Sequence, residues 1–86
     1  MDEVRRDQDG TIRATEYRFS AYGMSGMAGY IEFIFEKEQG ETLLNHLSTQ
    51  DPGEDPLKLL KKLKEPQLIA LCERLGVAYN RNEGAE

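Results

Sequence analysis

Residues Thr11–Lys37, "TIRATEYRFSAYGMSGMAGYIEFIFEK", decide the fold. Tyr17, Phe19 and Ala21 alternate with Glu16, Arg18 and Ser20, and Ile31, Phe33 and Phe35 alternate with Glu32 and Glu36. Successive side chains of a strand point to opposite faces, so a period of two predicts two strands with one apolar face each. The two read as an antiparallel hairpin joined through Tyr22–Tyr30, "YGMSGMAGY". If Tyr17, Phe19 and Ala21 share a face with Ile31, Phe33 and Phe35, cross-strand partners must have numbers summing to an even value. A slip of one residue would turn a whole strand over. A three-residue loop, Met24-Ser25-Gly26, meets that condition, with Gly26 in the left-handed position and Arg18 opposite Glu32.

The glycines of this stretch, Gly23, Gly26 and Gly29, do not make a phosphate cradle. A Walker-type loop needs a terminal lysine and hydroxyl leading into a helix, and a dinucleotide fingerprint needs glycines two apart opening a helix. Here the glycines are three apart and lead into a strand. Turn chemistry remains, with Met24 and Met27 as adaptable apolar groups near the tip.

Downstream the period becomes helical. Leu43, Leu44 and Leu47 predict a short helix from Glu41 to Thr49. "DPGEDP" breaks it, and Asp55-Pro56 opens a second helix, with aspartate as N-cap and proline at the first helical position. Leu57, Leu60 and Leu63 line one side of that helix, and Lys58, Lys61 and Lys62 the other. Glu65-Pro66 ends it. Pro66 starts a third helix carrying Leu68, Leu71, Cys72 and Leu75, which Gly76-Val77 stops. The expected fold is α+β, a two-stranded antiparallel β-hairpin followed by three short helices (β-β-α-α-α) packed on its apolar face. Residues 1–10 read as a flexible charged leader, 11–79 as a single small domain and 80–86 as a flexible tail.

At 86 residues one domain is the default, and its core is thin. No apolar run approaches the roughly 18–20 residues of a membrane-spanning helix. The charged start, "MDEVRRDQDG", lacks the apolar stretch of a secretory signal, and a lone cysteine excludes an internal disulfide. A cytoplasmic location is the expectation. A net charge of −5 argues against a duplex-DNA binder, whose footprint is basic.

Chemistry-bearing residues are few. His46 and Cys72 are the only histidine and cysteine, too few for a structural zinc site, and Cys72 falls on the leucine stripe as a small buried hydrophobe. Asp51, Glu54 and Asp55 lack the spacing of a calcium loop. No catalytic, cofactor-binding or metal-binding residues are expected, and the chain reads as a non-enzyme. The segment Leu60–Val77, "LKKLKEPQLIALCERLGV", resembles over residues 63–77 the first half of the SAP-type helix–extended loop–helix module. The continuation of that module, a glycine-lysine pair and a second leucine-arginine helix, is replaced by "AYNRNEGAE". The resemblance implies a small nucleic-acid contact through Lys58, Lys61, Lys62 and Lys64.

A two-stranded ribbon is marginal alone, and both its edges are open to pairing. The first functional reading is therefore a small acidic protein–protein interaction module, an accessory subunit, regulator or inhibitor of a larger complex. It would bind its partner through Tyr22, Met24, Met27 and Tyr30, or form a homodimer through the hairpin edge. The alternative is a nucleic-acid-associated protein using the lysines. Neither reading involves a cofactor or a membrane.

Overall fold

A computed structural model describes residues 1–19 and 27–85; the side chains of residues 19, 27, 28 and 85 are outside the description. Its elements are β1 (Glu3–Arg6), β2 (Ile12–Phe19), β3 (Met27–Phe35), α1 (Lys37–Gln50), α2 (Pro56–Lys61), α3 (Glu65–Leu75) and β4 (Asn80–Ala85). The strands form one antiparallel sheet in the order β1-β2-β3-β4, with the three helices between β3 and β4 in sequence. The α+β class and the three helices stand. The two-stranded hairpin does not: residues read as leader and tail supply β1 and β4, and the sheet has four strands.

The outer strands escape a period-two reading because each carries so little apolar surface. β1 has only Val4, and β4 is "NRNEGA". What holds them is the backbone ladder and polar pairing. The β1–β2 connection carries its own turn signal, Asp9-Gly10: Gly10 has φ +93°, its N–H donates to the Asp7 carbonyl at 3.0 Å, and the Thr11 N–H donates to Asp9 Oδ1 at 2.9 Å. Only glycine enters that region of φ without strain. β1 pairs with Ile12–Thr15 of β2 and β4 with Gly29–Ile34 of β3, so over those residues the ribbon is completed within the chain itself.

The register between β2 and β3 is also corrected. Ile12 lies opposite Phe35, Ala14 opposite Phe33, Glu16 opposite Ile31 and Tyr17 opposite Tyr30, so partner numbers sum to an odd value. Arg18 faces Gly29 rather than Glu32, whose partner is Thr15. The inward set of β2 is Ile12 and Ala14, both buried, which places Tyr17 on the opposite face. Two buried side chains beneath the helices outweigh a tyrosine that keeps its hydroxyl wet. A bulge between Arg18 and Phe19 then shifts the pairing, so Phe19 meets Met27. The Met24-Ser25-Gly26 loop lies outside the described residues.

The core forms where Ile12, Ala14, Ile31, Phe33 and Phe35 meet Leu43, Leu44, Leu47, Leu60, Leu68, Leu71, Cys72 and Val77. α1 begins at Lys37, earlier than its leucines suggest. Gly40 sits buried inside it, because a Cβ there would lie 2.7 Å from Ile12 Cγ1. Glycine lets the first turns of α1 lie close on the sheet. α2 starts as expected, with Asp55 Oδ1 accepting from the Leu57 N–H at 3.0 Å. α3 ends as expected too: Gly76 adopts φ +70°, and the Val77 N–H donates to the Cys72 carbonyl at 2.9 Å while its side chain is buried. No helix of the described residues is long and apolar enough to cross a membrane.

Candidate interaction face

The helices cover one face of the sheet only. The other presents Glu3 from β1, Arg13, Thr15 and Tyr17 from β2, and Tyr30 and Glu32 from β3, which together line a shallow open concavity with Arg5. Tyr17 and Tyr30 are direct cross-strand partners, as are Thr15 and Glu32. Tyr30 is 38% exposed, the one large hydrophobic residue so exposed among the described residues. Its ring lies across Gly84 of β4, where a Cβ would come within 2.2 Å of Tyr30 Cε1. A glycine on an outer strand thus leaves room for an aromatic ring to cover the ladder.

The charges on this face are already matched. Arg5 and Arg13 stand directly opposite each other, a repulsive placement that Asp7 relieves: Arg13 Nε lies 2.7 Å from Asp7 Oδ2 and Arg5 Nε 3.6 Å from Asp7 Oδ1. Arg13 also reaches Glu32 at 3.5 Å. The Tyr17 hydroxyl donates to Glu3 Oε2 at 2.5 Å, and this bond to a carboxylate holds its pKa above the ordinary tyrosine value. A face whose ions are neutralised locally offers phosphates little. Its open chemistry is two aromatic rings and a threonine.

On the helix side, a second ionic cluster ties β4 to the fold. Arg81 donates to Glu65 Oε2 from Nε at 2.9 Å and from an NH2 group at 2.7 Å, and the same NH2 reaches Glu83 at 3.0 Å. Arg18 joins at 3.3 Å from Glu65. The Glu65 carboxylate, then the Glu83 carboxylate, raise the Arg81 pKa further. At the opposite edge of the sheet, the Met1 nitrogen donates to the Lys61 carbonyl at 2.9 Å and to that of Leu63, tying the chain just before β1 to the C-terminal turn of α2.

Of the residues expected to bind a partner, Tyr22 and Met24 lie outside the described residues. Met27 is placed only by its backbone in β3, and Tyr30 stands on the open face. Tyr17, Thr15 and Arg13 join Tyr30 there, and the sequence reading missed them because its register turned Tyr17 inward. The expected nucleic-acid contacts, Lys58, Lys61, Lys62 and Lys64, are all exposed along α2 and the turn into α3, remote from this face in the fold. His46 borders a groove between α1 and α3 with Leu47, Leu71 and Arg74. Cys72 is buried, which pushes its thiol up to about 11. The Asp51 main-chain carbonyl accepts the Glu54 N–H at 3.2 Å, and the Asp55 carboxylate is occupied as a cap. Among the described residues no three histidine, cysteine or carboxylate side chains gather as metal ligands.

The fold and this face define a class, a single helix-backed antiparallel sheet with one bare side. No protein-family model matches the chain, and no solved structure matches it. Among curated proteins, oligopeptidase A of Salmonella typhimurium (strain LT2) is 38% identical over 48 residues. The matched segment takes in 54% of this chain but only 7% of oligopeptidase A.

Proposed function

We propose that this chain is a small, non-enzymatic protein–protein interaction module, an accessory subunit or regulator of a larger assembly that works in the cytoplasm and docks through the bare face of its sheet. One observation carries the reading: Tyr30 and Tyr17 stand together on a face with no helix over it, ringed by charges paired among themselves. Rigid aromatics surrounded by satisfied polar groups are the composition of interface hot spots, because a partner gains apolar contact without stranding a buried ion. The same pairing of Arg5 and Arg13 argues against nucleic acid on this face. The similarity to oligopeptidase A covers too small a part of that protein to lend its activity; it supports at most a shared structural segment.

The test is affinity capture from the native cell extract, followed by binary binding measurements with the purified captured protein. Tyr17→Lys with Tyr30→Lys abolishes capture while the circular-dichroism spectrum stays native. Thr15→Arg, at the middle of the face and away from Gly84, repeats the loss without uncovering β4. A captured partner that binds both variants as tightly as the parent chain would refute the reading.

A further inference from the structure

We infer that Lys58, Lys61, Lys62 and Lys64 form a second contact surface, a cationic strip that receives an acidic polypeptide segment of the protein partner. The inference rests on the interaction-module reading but uses a different part of the molecule. On α2 the positions of Lys58, Lys61 and Lys62 are three and four apart, so their side chains share one face. Leu60 is buried on the other side, and Leu57, Leu59 and Leu63 are half-buried. The strip is therefore locked outward by the packing of the leucines beneath it.

Two observations separate these lysines from an ordinary solvated face. The first is pairing. Arg5, Arg13, Arg18 and Arg81 each lie within ion-pair distance of a carboxylate, whereas among the described residues no lysine does. Arg6, Lys37 and Arg74 are likewise outside any ion pair among the described residues, but they stand apart, whereas Lys58, Lys61, Lys62 and Lys64 fall within one short strip of a chain of net charge −5. The second is Lys64. Cations near the C-terminus of α2 complement its dipole, which accounts for Lys61 and Lys62. Lys64, however, is the N-cap of α3, where the dipole opposes a positive charge and serine or aspartate is preferred. Its side chain makes no cap bond to the helix; Gln67 Oε1 instead accepts the Lys64 backbone N–H at 2.9 Å. The adjacent Glu65 carboxylate is taken by Arg81 and Arg18. A residue kept against its local preference is expected where function, not stability, selects it.

Strip length favours a polypeptide over nucleic acid. Six helical residues span about 9 Å. Duplex DNA carries a charge about every 1.7 Å and would run past the strip onto Asp51, Glu54 and Asp55, which lead into α2. A short acidic segment can end where the lysines end. In an extended chain, carboxylates at alternate positions lie about 6–7 Å apart, close to the spacing of side chains one helical turn apart.

The experiment measures fluorescence anisotropy of two labelled probes against the full chain at low ionic strength: a peptide of alternating glutamate and glycine, and a single-stranded oligothymidylate of equal charge. The peptide is expected to bind saturably and more tightly than the oligonucleotide. Lys58→Glu with Lys61→Glu and Lys62→Glu weakens it by roughly tenfold or more, and arginine at the same positions retains it. Lys64→Ser weakens peptide binding while raising the thermal midpoint by a few degrees, because a better cap replaces a poor one. Absence of saturable peptide binding, equal affinity after charge reversal, tighter oligonucleotide binding, or a lowered midpoint on Lys64→Ser would each overturn the inference. Thr15→Arg leaves peptide binding intact, so failure of the sheet-face reading and failure of this one are told apart.

Discussion

The two faces of β3 differ more sharply than any two segments of the chain. Ile31, Phe33 and Phe35 point into the helix layer and are fully buried, with Tyr79 packed edge-on against Phe33 at 5.3 Å between ring centroids. Tyr30, Glu32 and Ile34, one position away, look out from a side that no helix covers. Within one nine-residue strand, the inner face holds the fold and the outer face leaves the Tyr30 ring exposed. Burial of apolar area is the dominant favourable term in folding, so the inner set cannot vary without loss of stability. The outer set is bound mainly by cross-strand and ionic contacts, each small, so it is free to be shaped for recognition.

The largest effect should come from the inner face. Phe33→Ala is expected to remove about 3–5 kcal/mol, comparable with the whole stability of a chain this size. Urea unfolding would show it, and a loss under about 1 kcal/mol would mean the inner face does not carry the fold. On the outer face, Gly84→Ala forces Tyr30 off β4, since the new methyl group would overlap its ring. The ring is exposed and can swing aside, so the expected cost is only about 1 kcal/mol. The tyrosine's NMR shifts should move towards solvent-like values; unchanged shifts would deny that Tyr30 rests on Gly84.

A smaller effect sharpens the contrast by testing how dry the helix side is. Cys72 ionises near 11 in the fold against 9 for an ordinary thiol, with burial as the cause. The native thiol therefore keeps its proton where the unfolded chain loses it. That contribution to stability is complete below pH 9 and declines as the pH rises through 11. Reaction with a thiol reagent at pH 8 should be slow in the native protein and fast once urea unfolds it. Equal rates would place Cys72 at the surface.

What could be read from residues alone follows from short-range physics. Asp55-Pro56 as a helix start and Gly76-Val77 as a stop are local hydrogen-bonding and φ preferences, and both hold in the fold. The inward set of β3 was legible because three large apolar residues alternate without interruption. The face of β2 was not, because Tyr17 mimics a core residue while Ile12 and Ala14, the true inward pair, are separated by Arg13. The make-up of the outer face was obscured with it: Tyr17 reads as inward and Thr15 draws no notice, although both share that face with Tyr30. β1 and β4 had almost no apolar pattern to find, although Asp9-Gly10 did mark the turn after β1.

The sequence by itself determined an α+β chain of limited core, the positions of its helices, their caps, and which side of β3 is apolar. These depend on neighbours a few residues apart. Only the tertiary structure decided that polar termini complete the sheet, that β2 presents Tyr17 outward, and that Arg5, Arg13, Arg18 and Arg81 find carboxylates while, among the described residues, no lysine does. Those outcomes depend on contacts between residues far apart in the chain, such as Tyr17 with Glu3, Arg18 with Glu65 and Met1 with Leu63 at intervals of 14, 47 and 62. No periodicity within a segment encodes contacts of that range.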